Sequence, residues 1–199
     1  MNKLLFDAIV RRRSYYAISN RCPVSDTELE EILKLALLHV PSAFNSQSSR
    51  LMLLLNEHHQ KVWQIAKEKL REVVPEKDFP KTEAKINAFA AGYGTILFYE
   101  DQTVVSSLQE RFPLYEDNFP LWSVQTSAMH QFAVWTLLED VGLGASLQHY
   151  NPLIDEDVRK IWNIDPQWTL IAQMPFGSPT ATPGNKEFLS LDYRLKTCK

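Results

Sequence analysis

Apolar positions recur at helical spacing along most of this chain, interrupted by a few short, nearly continuous apolar runs. Residues 2–13 predict a helix with Leu5, Ala8 and Ile9 on one face. Ser25 and Glu28 form a Ser-x-x-Glu helix start, and Leu29, Ile32, Leu33, Ala36 and Val40 follow it at helical spacing. Pro41 ends that helix, because a proline biases the residue before it away from helical backbone. "RLMLLL" then predicts a short buried strand, and "HHQKVWQIAKEKLREVV" a helix that aligns Trp63, Ala66 and Leu70. "PEKDFPK" (75–81) is a loop, a helix runs from Thr82 to about Ala91, and "GTILFYE" is the next strand. A short helix around 103–110 leads into the aromatic loop "RFPLYEDNFPLW". Residues 123–141 are apolar on most sides, which places that helix in the middle of a fold or in a subunit interface. "GLGASLQHYNP" predicts a loop or short strand, "DEDVRKIWN" a helix, "WTLIAQMPFG" a strand and "NKEFLSLDYRLK" a terminal extension. Helices outnumber strands without regular alternation, which is the pattern of an α+β fold: a small central sheet surrounded by helices in one domain, 1–199.

Composition narrows the function classes. A chain of 199 residues with 45% hydrophobic content supports a sizeable core. The net charge is −3, and Lys and Arg are dispersed except at Arg11–Arg13, so no broad basic face for nucleic acid is expected. No apolar stretch is long enough to span a bilayer. "MNKLLFDAIVRRRS" carries its charge after its apolar part, the reverse of a secretory signal. With Cys22 and Cys198 read as reduced thiols, the expected location is the cytoplasm.

The chemistry is first one of absences. "GYGTIL" and "GLGASL" lack the third glycine of a dinucleotide fingerprint, and neither a Walker loop nor Gly-x-Ser-x-Gly occurs. No histidine has zinc-ligand spacing; the pair His58–His59 is read as a solvated helix start. "RRRS" (11–14) is open to two readings of equal weight. Cations complement a helix C-terminus by about 0.3–1 kcal/mol each. Alternatively, forked guanidinium bonds and the Ser14 hydroxyl form a phosphate site. "PSAFNSQSSR" (41–50) holds six neutral hydroxyl and amide side chains. Turn formation explains part of this, but Asn45 and Gln47 each pair donors with an acceptor, which suits a ligand with alternating polar edges. Gly142 is a candidate helix stop, and Gly144 permits close approach of backbone to a flat ligand.

Taken in order, "RRRS", "PSAFNSQSSR", "GYGTILFYED", "LQERFPLYEDNFPLWS", "GASLQHYNPLID" and "AQMPFGSP" resemble the FMN-dependent nitroreductase family. The similarity is greatest to its short subgroup, the fatty-acid-repression-mutant-like or HBN-type nitroreductases. The resemblance implies a mostly antiparallel sheet and an intertwined homodimer with FMN in two interface clefts. Arg12, Arg13 and Ser14 would hold phosphate and ribityl oxygens, with Lys186 adding charge. Ser42, Asn45 and Gln47 would reach the flavin from the partner subunit. Leu147, Gln148 and His149 would lie beside the ring, and Lys85 is the candidate cation near its N1–C2=O edge. Most larger members of the family it resembles have "NSQP" where this chain reads "NSQSS".

The implied activity is ping-pong hydride transfer from NAD(P)H to a nitroaromatic or quinone-like acceptor, with no catalytic side chain required. Phe112, Tyr115 and Trp122 are candidate pocket aromatics, with core or interface packing an equal reading. The alternatives are a flavin-binding regulatory or stress-response protein without turnover, and a helical interaction module without cofactor.

Overall fold

The computed structural model describes residues 5–199. Its elements in chain order are α1 (Leu5–Arg11), β1 (Ile18–Ser19), α2 (Asp26–His39), β2 (Ser49–Leu55), α3 (Asn56–Val73), α4 (Phe79–Ala90), β3 (Gly94–Asp101), α5 (Gln102–Arg111), α6 (Asn118–Asp140), β4 (Gly144–Ala145), α7 (Asp155–Trp162) and β5 (Trp168–Pro179). Short 3-10 turns lie at Ala43–Asn45, Pro113–Tyr115 and Leu191–Tyr193. The sheet runs β1-β5-β3-β2 with every pairing antiparallel, and β4 adds to β5. This is the α+β arrangement expected, a small antiparallel sheet among helices.

The middle strand explains the layering. All eight residues of β3 are buried, so both of its faces need a cover. On one face Leu97 and Tyr99 pack with Trp63, Ala66 and Phe89 of α3 and α4. On the other, Ile96 and Phe98 pack with Leu33 of α2 and Val134 and Leu138 of α6. Alternation of side chains across a strand sends odd and even positions to opposite layers. At about 25 cal/mol per Å2 of buried apolar area, these two clusters supply the main driving force of folding.

Local signals account for several boundaries. The Ser25 hydroxyl accepts from the Glu28 N–H while Glu28 accepts from the Ser25 N–H, a complete capping box on α2. α6 ends in a Schellman motif: Gly142, at φ +85°, donates to Glu139 O, and Leu143 donates to Leu138 O.

Other boundaries differ from the sequence expectation. α1 covers Leu5–Arg11, the start of the expected 2–13 helix lies outside the described residues, and Leu5 and Ile9 are exposed while only Ala8 is buried. α4 begins at Phe79, inside the expected 75–81 loop, because Pro80 sits in its first turn, where its missing N–H costs nothing. α6 begins at Asn118, inside the aromatic loop, and likewise tolerates Pro120 early. β1 went unanticipated. Two residues carry no periodic signal, and β1 exists because Ile18 and Ser19 pair with Pro179 and Ser178.

His59 is the clearest correction. It is 1% exposed rather than solvated. Its Nδ1 lies 2.8 Å from Thr95 Oγ1 and its Nε2 3.2 Å from Ala90 O, and Thr95 Oγ1 also accepts from Trp63 Nε1. His58 accepts from Trp162 Nε1 at 3.1 Å. Cys22 and Cys198 are both free. Among the described residues, no helix is long and apolar enough to cross a membrane.

Candidate functional site

α1 ends where "RRRS" begins, and the segment after it is tied to the sheet rather than left as a loop. Ser14 forms a parallel bridge with Ala145 of β4, and the Tyr15 N–H donates to Ala145 O at 2.9 Å. Gly144 makes that approach possible: an added Cβ would lie 2.7 Å from the Tyr15 ring. The glycine therefore admits a tyrosine of the chain itself. Two residues past Ala145 come Leu147, Gln148 and His149. Gln148 exchanges both main-chain hydrogen bonds with Gln173 of β5, so a ligand beside this segment meets the flanking residues.

A cleft of about 500 Å3 opens beside this junction. Arg12, Arg13, Ser14, Tyr15, Tyr16 and Ala17 form one wall; the segment 181–186, which follows β5, forms the other. Arg13 Nη2 donates to Gly184 O at 2.6 Å and joins the two walls. The two arginines are held differently. The Arg12 guanidinium lies 4.4 Å from the centre of the Trp135 ring of α6, and its Nε is buried without a hydrogen-bond partner. Burial, and then the adjacent Arg13, push the Arg12 pKa down, while Glu139 opposes them. Arg12, Arg13 and Lys186 thus share one cleft with no acidic residue among its lining. That arrangement favours an anion, and an orphaned buried guanidinium N–H is the group a phosphate oxygen would satisfy. Burial and Glu139 raise the Tyr15 pKa, which keeps its hydroxyl neutral beside those cations. Tyr15, Tyr16, Thr182 and Asn185 line the cleft without having been singled out in the sequence. Only their position beside "RRRS" or Lys186 signalled them.

Lys85 is exposed on α4, with Nζ 5.8 Å from the Phe89 ring. Phe89 lies 6.1 Å from Tyr16, so Lys85 stands near the cleft without lining it. Lys186 Nζ lies 5.2 Å from the Phe188 ring.

Ser42, Asn45 and Gln47 are placed elsewhere. They precede β2, one edge of the sheet, whereas Arg12–Ser14 precede β1, the opposite edge. The junction backbone is unusual: Phe44, Asn45 and Gln47 have φ of 56°, 51° and 50°. Left-handed backbone at a residue other than glycine costs on the order of 1 kcal/mol and persists only where surrounding contacts impose it. Ser42 Oγ accepts from the Gln47 N–H at 3.0 Å, closing the turn. Phe44 lies among four other rings, Phe112, Tyr115, Phe119 and Trp122, with centroids 4.8 to 6.1 Å away. The aromatic segment therefore packs around the junction. Ser42 and Gln47 line a cleft of about 310 Å3 with Leu37, Leu38, His130 and Trp168. Asn45 lines a neighbouring groove with Phe44, Ser46 and Arg111.

A buried acid was also missed. Glu100, at the end of β3, is 0% exposed, and its two carboxyl oxygens each lie 2.5 Å from a hydroxyl, those of Ser48 and Ser49. Ser49 Oγ also lies 3.2 Å from His130 Nδ1. Burial raises the Glu100 pKa, and the two serines oppose that rise.

The fold, with its paired clefts at opposite sheet edges, is that of a nitroreductase, and the chain belongs to that family: the Nitroreductase family model matches residues 9–178. Nitroreductase CinD from Lactococcus lactis, solved with nicotinic acid, is 43% identical with a TM-score of 0.91, covering 98% of this chain and 100% of that one. CinD has also been solved with chloramphenicol and with 4-nitrophenol. Two Saccharomyces cerevisiae proteins are similar along nearly their full lengths. HBN1 is 32% identical over 94% of both chains, and nitroreductase FRM2 is 30% identical over 92% of both.

Proposed function

We propose that this chain is an FMN-dependent NAD(P)H oxidoreductase of the HBN and fatty-acid-repression-mutant-like subgroup, acting as a homodimer on electron-poor aromatic acceptors. The observation that carries the proposal is the convergence of Arg12, Arg13, Ser14 and Lys186 on one acid-free cleft in a nitroreductase-family chain. Its volume and donor set fit the phosphate end of FMN. Arg13 and Lys186 complete the charge, and Ser14 bonds phosphate or ribityl oxygens. FMN, when bound, would supply the redox chemistry, relaying two electrons from NAD(P)H to the acceptor in ping-pong order with the remaining protons drawn from solvent.

The chain's own residues bind, orient and shield. Ser42, Asn45 and Gln47, at the far edge of the sheet, serve the cofactor of a second copy, with amide donors and acceptors on the ring's polar rim. Leu147 and His149 flank the ring, and Lys85 adds positive charge near the entrance, which favours the reduced, anionic ring. Exposed apolar residues supply the dimer surface: Leu5, Phe6, Ile9 and Val10 on α1, Leu35 and Leu38 on α2, and Val124, Met129 and Phe132 on α6. The complex of CinD with 4-nitrophenol supports the acceptor class. Two free cysteines suit a reducing, cytoplasmic location.

The test is the visible spectrum of the protein reconstituted with FMN, recorded before and after NADPH or NADH is added without oxygen. Bound flavin that bleaches, and recovers when a nitroaromatic is added, is the expected result. A cofactor that stays oxidised with both nucleotides identifies a flavin-binding protein without turnover, and a chain that takes up no FMN overturns the proposal.

A further inference from the structure

The strained junction that carries Ser42, Asn45 and Gln47 must be imposed by its surroundings. Its amino-terminal side is closed locally, by Ser42 Oγ accepting from Gln47 N–H. Its carboxy-terminal side is fixed from the neighbouring strand. Ser48 O accepts from the Asp101 N–H at 2.9 Å, and the Ser48 and Ser49 hydroxyls donate to separate oxygens of Glu100. Arg50 Nη1 donates to Gln47 O at 2.7 Å and Ser49 O at 3.1 Å, while Nη2 pairs with Asp101 at 2.9 Å. Asp101 in turn caps α5 through the Thr103 N–H. Consecutive acids at the end of β3 therefore hold four consecutive residues, 47–50.

The two acids differ in kind. The Arg50–Asp101 pair is partly exposed, and an ion pair near solvent contributes little by itself. Glu100 is fully buried. A buried carboxyl group whose two oxygens each meet a different serine hydroxyl fixes both serine rotamers. Ser48 is 0% and Ser49 6% exposed, and Ser49 Oγ has His130 Nδ1 as a second neighbour at 3.2 Å.

We infer that Glu100 is a positioning residue for the candidate flavin site: through Ser48 and Ser49 it sets the left-handed backbone of Phe44, Asn45 and Gln47, and hence where Asn45 and Gln47 present their amides. The inference rests on the functional reading above. It assigns Glu100 no contact with cofactor or substrate, since all its partners lie within the chain.

The experiment uses the full chain and FMN as the probe. Glu100→Gln is nearly isosteric but turns one acceptor oxygen into a donor facing a hydroxyl. Ser48→Ala and Ser49→Ala each remove one donor and keep the carboxyl. For every variant whose circular dichroism matches the wild type, FMN affinity is measured by fluorescence quenching. The absorption band and reduction midpoint of the flavin are then recorded at saturating FMN. Expected is a loss of affinity on the order of tenfold for Glu100→Gln and a smaller one for each serine variant. A displaced band or midpoint is expected as well, since general destabilisation of a folded, saturated protein would move neither. If Glu100→Gln does not fold, the serine variants carry the same test. Wild-type affinity, band and midpoint in all folded variants would overturn the inference alone. A wild-type protein that ignores FMN would instead overturn the functional reading.

Discussion

His59 makes the stability of this protein depend on pH in a calculable way. Ala90 O can only accept, so His59 Nε2 carries the proton, and Nδ1 accepts from the Thr95 hydroxyl. Thr95 Oγ1 in turn accepts from Trp63 Nε1–H. Every polar group in this buried chain is satisfied with a neutral imidazole. A second ring proton would face the Thr95 oxygen and leave the hydroxyl hydrogen without its acceptor. Burial agrees, lowering the His59 pKa from 6.5 to about 4, against the backbone hydrogen bonds that oppose it. As pH falls, the unfolded chain takes up the proton first. The stabilisation is therefore whole above about 6.5 and is withdrawn progressively toward about 4. Linkage puts the loss at about 2 kcal/mol between about pH 7 and about pH 5, and at about 3 kcal/mol in full. Carboxylates titrate in the same range, so the measurement is a difference: urea unfolding of wild type and His59→Gln at both pH values. The wild type should lose about 2 kcal/mol more than the variant over that interval. Equal losses, or an NMR titration placing the His59 midpoint above about 6, would refute the neutral-imidazole assignment.

Arg12→Ala and Arg13→Ala should each weaken FMN binding by at least about tenfold, as removal of a charge-assisted phosphate contact does, measured by calorimetric titration on apo-proteins that scanning calorimetry shows to be folded. In mixed dimers of wild-type and Asn45→Ala chains, the weakened flavin should be the one bound mainly by the wild-type chain, read by tagging one chain and adding Arg13→Ala to it. Gly177→Ala would place a Cβ 2.2 Å from Ser19 O and 3.0 Å from the Tyr93 N. It should separate β1 from β5 and lower the melting temperature by several degrees, for a cost of roughly 1–3 kcal/mol, measured by circular dichroism.

What could be read from the sequence was whatever local chemistry dictates. The Ser25–Glu28 box, the stop at Pro41, the helix end at Gly142 and the apolar runs of β2, β3 and β5 each carry their cause within a few residues. "RRRS" and Lys186 were recognisable as charges, and the family resemblance joined them; the structure brings them to one cleft although 172 positions separate Ser14 from Lys186. What escaped depends on distant partners. Glu100 reads as an ordinary charge at a strand end until Ser48 and Ser49, some fifty positions earlier, cover it. His59 sits in a polar "NEHHQK" stretch, and only Thr95 and Ala90 make it interior. The six-residue polar excess of "PSAFNSQSSR" turns out to have two causes. Ser42, Ser48 and Ser49 build the junction and Ser46 lies half-buried within it, which leaves Asn45 and Gln47 as the exposed groups.

The far wall of the arginine cleft is made by residues beyond the last strand, and none of residues 181–199 is buried. The core could be complete with that wall swung away, held only by contacts such as Arg13 to Gly184. Detachment of the strap would thus empty the anion seat without melting the domain, and an occupant bridging both sides would fasten it. On the proposed function, the hold on a ligand would be adjustable through this wall without touching the unliganded core.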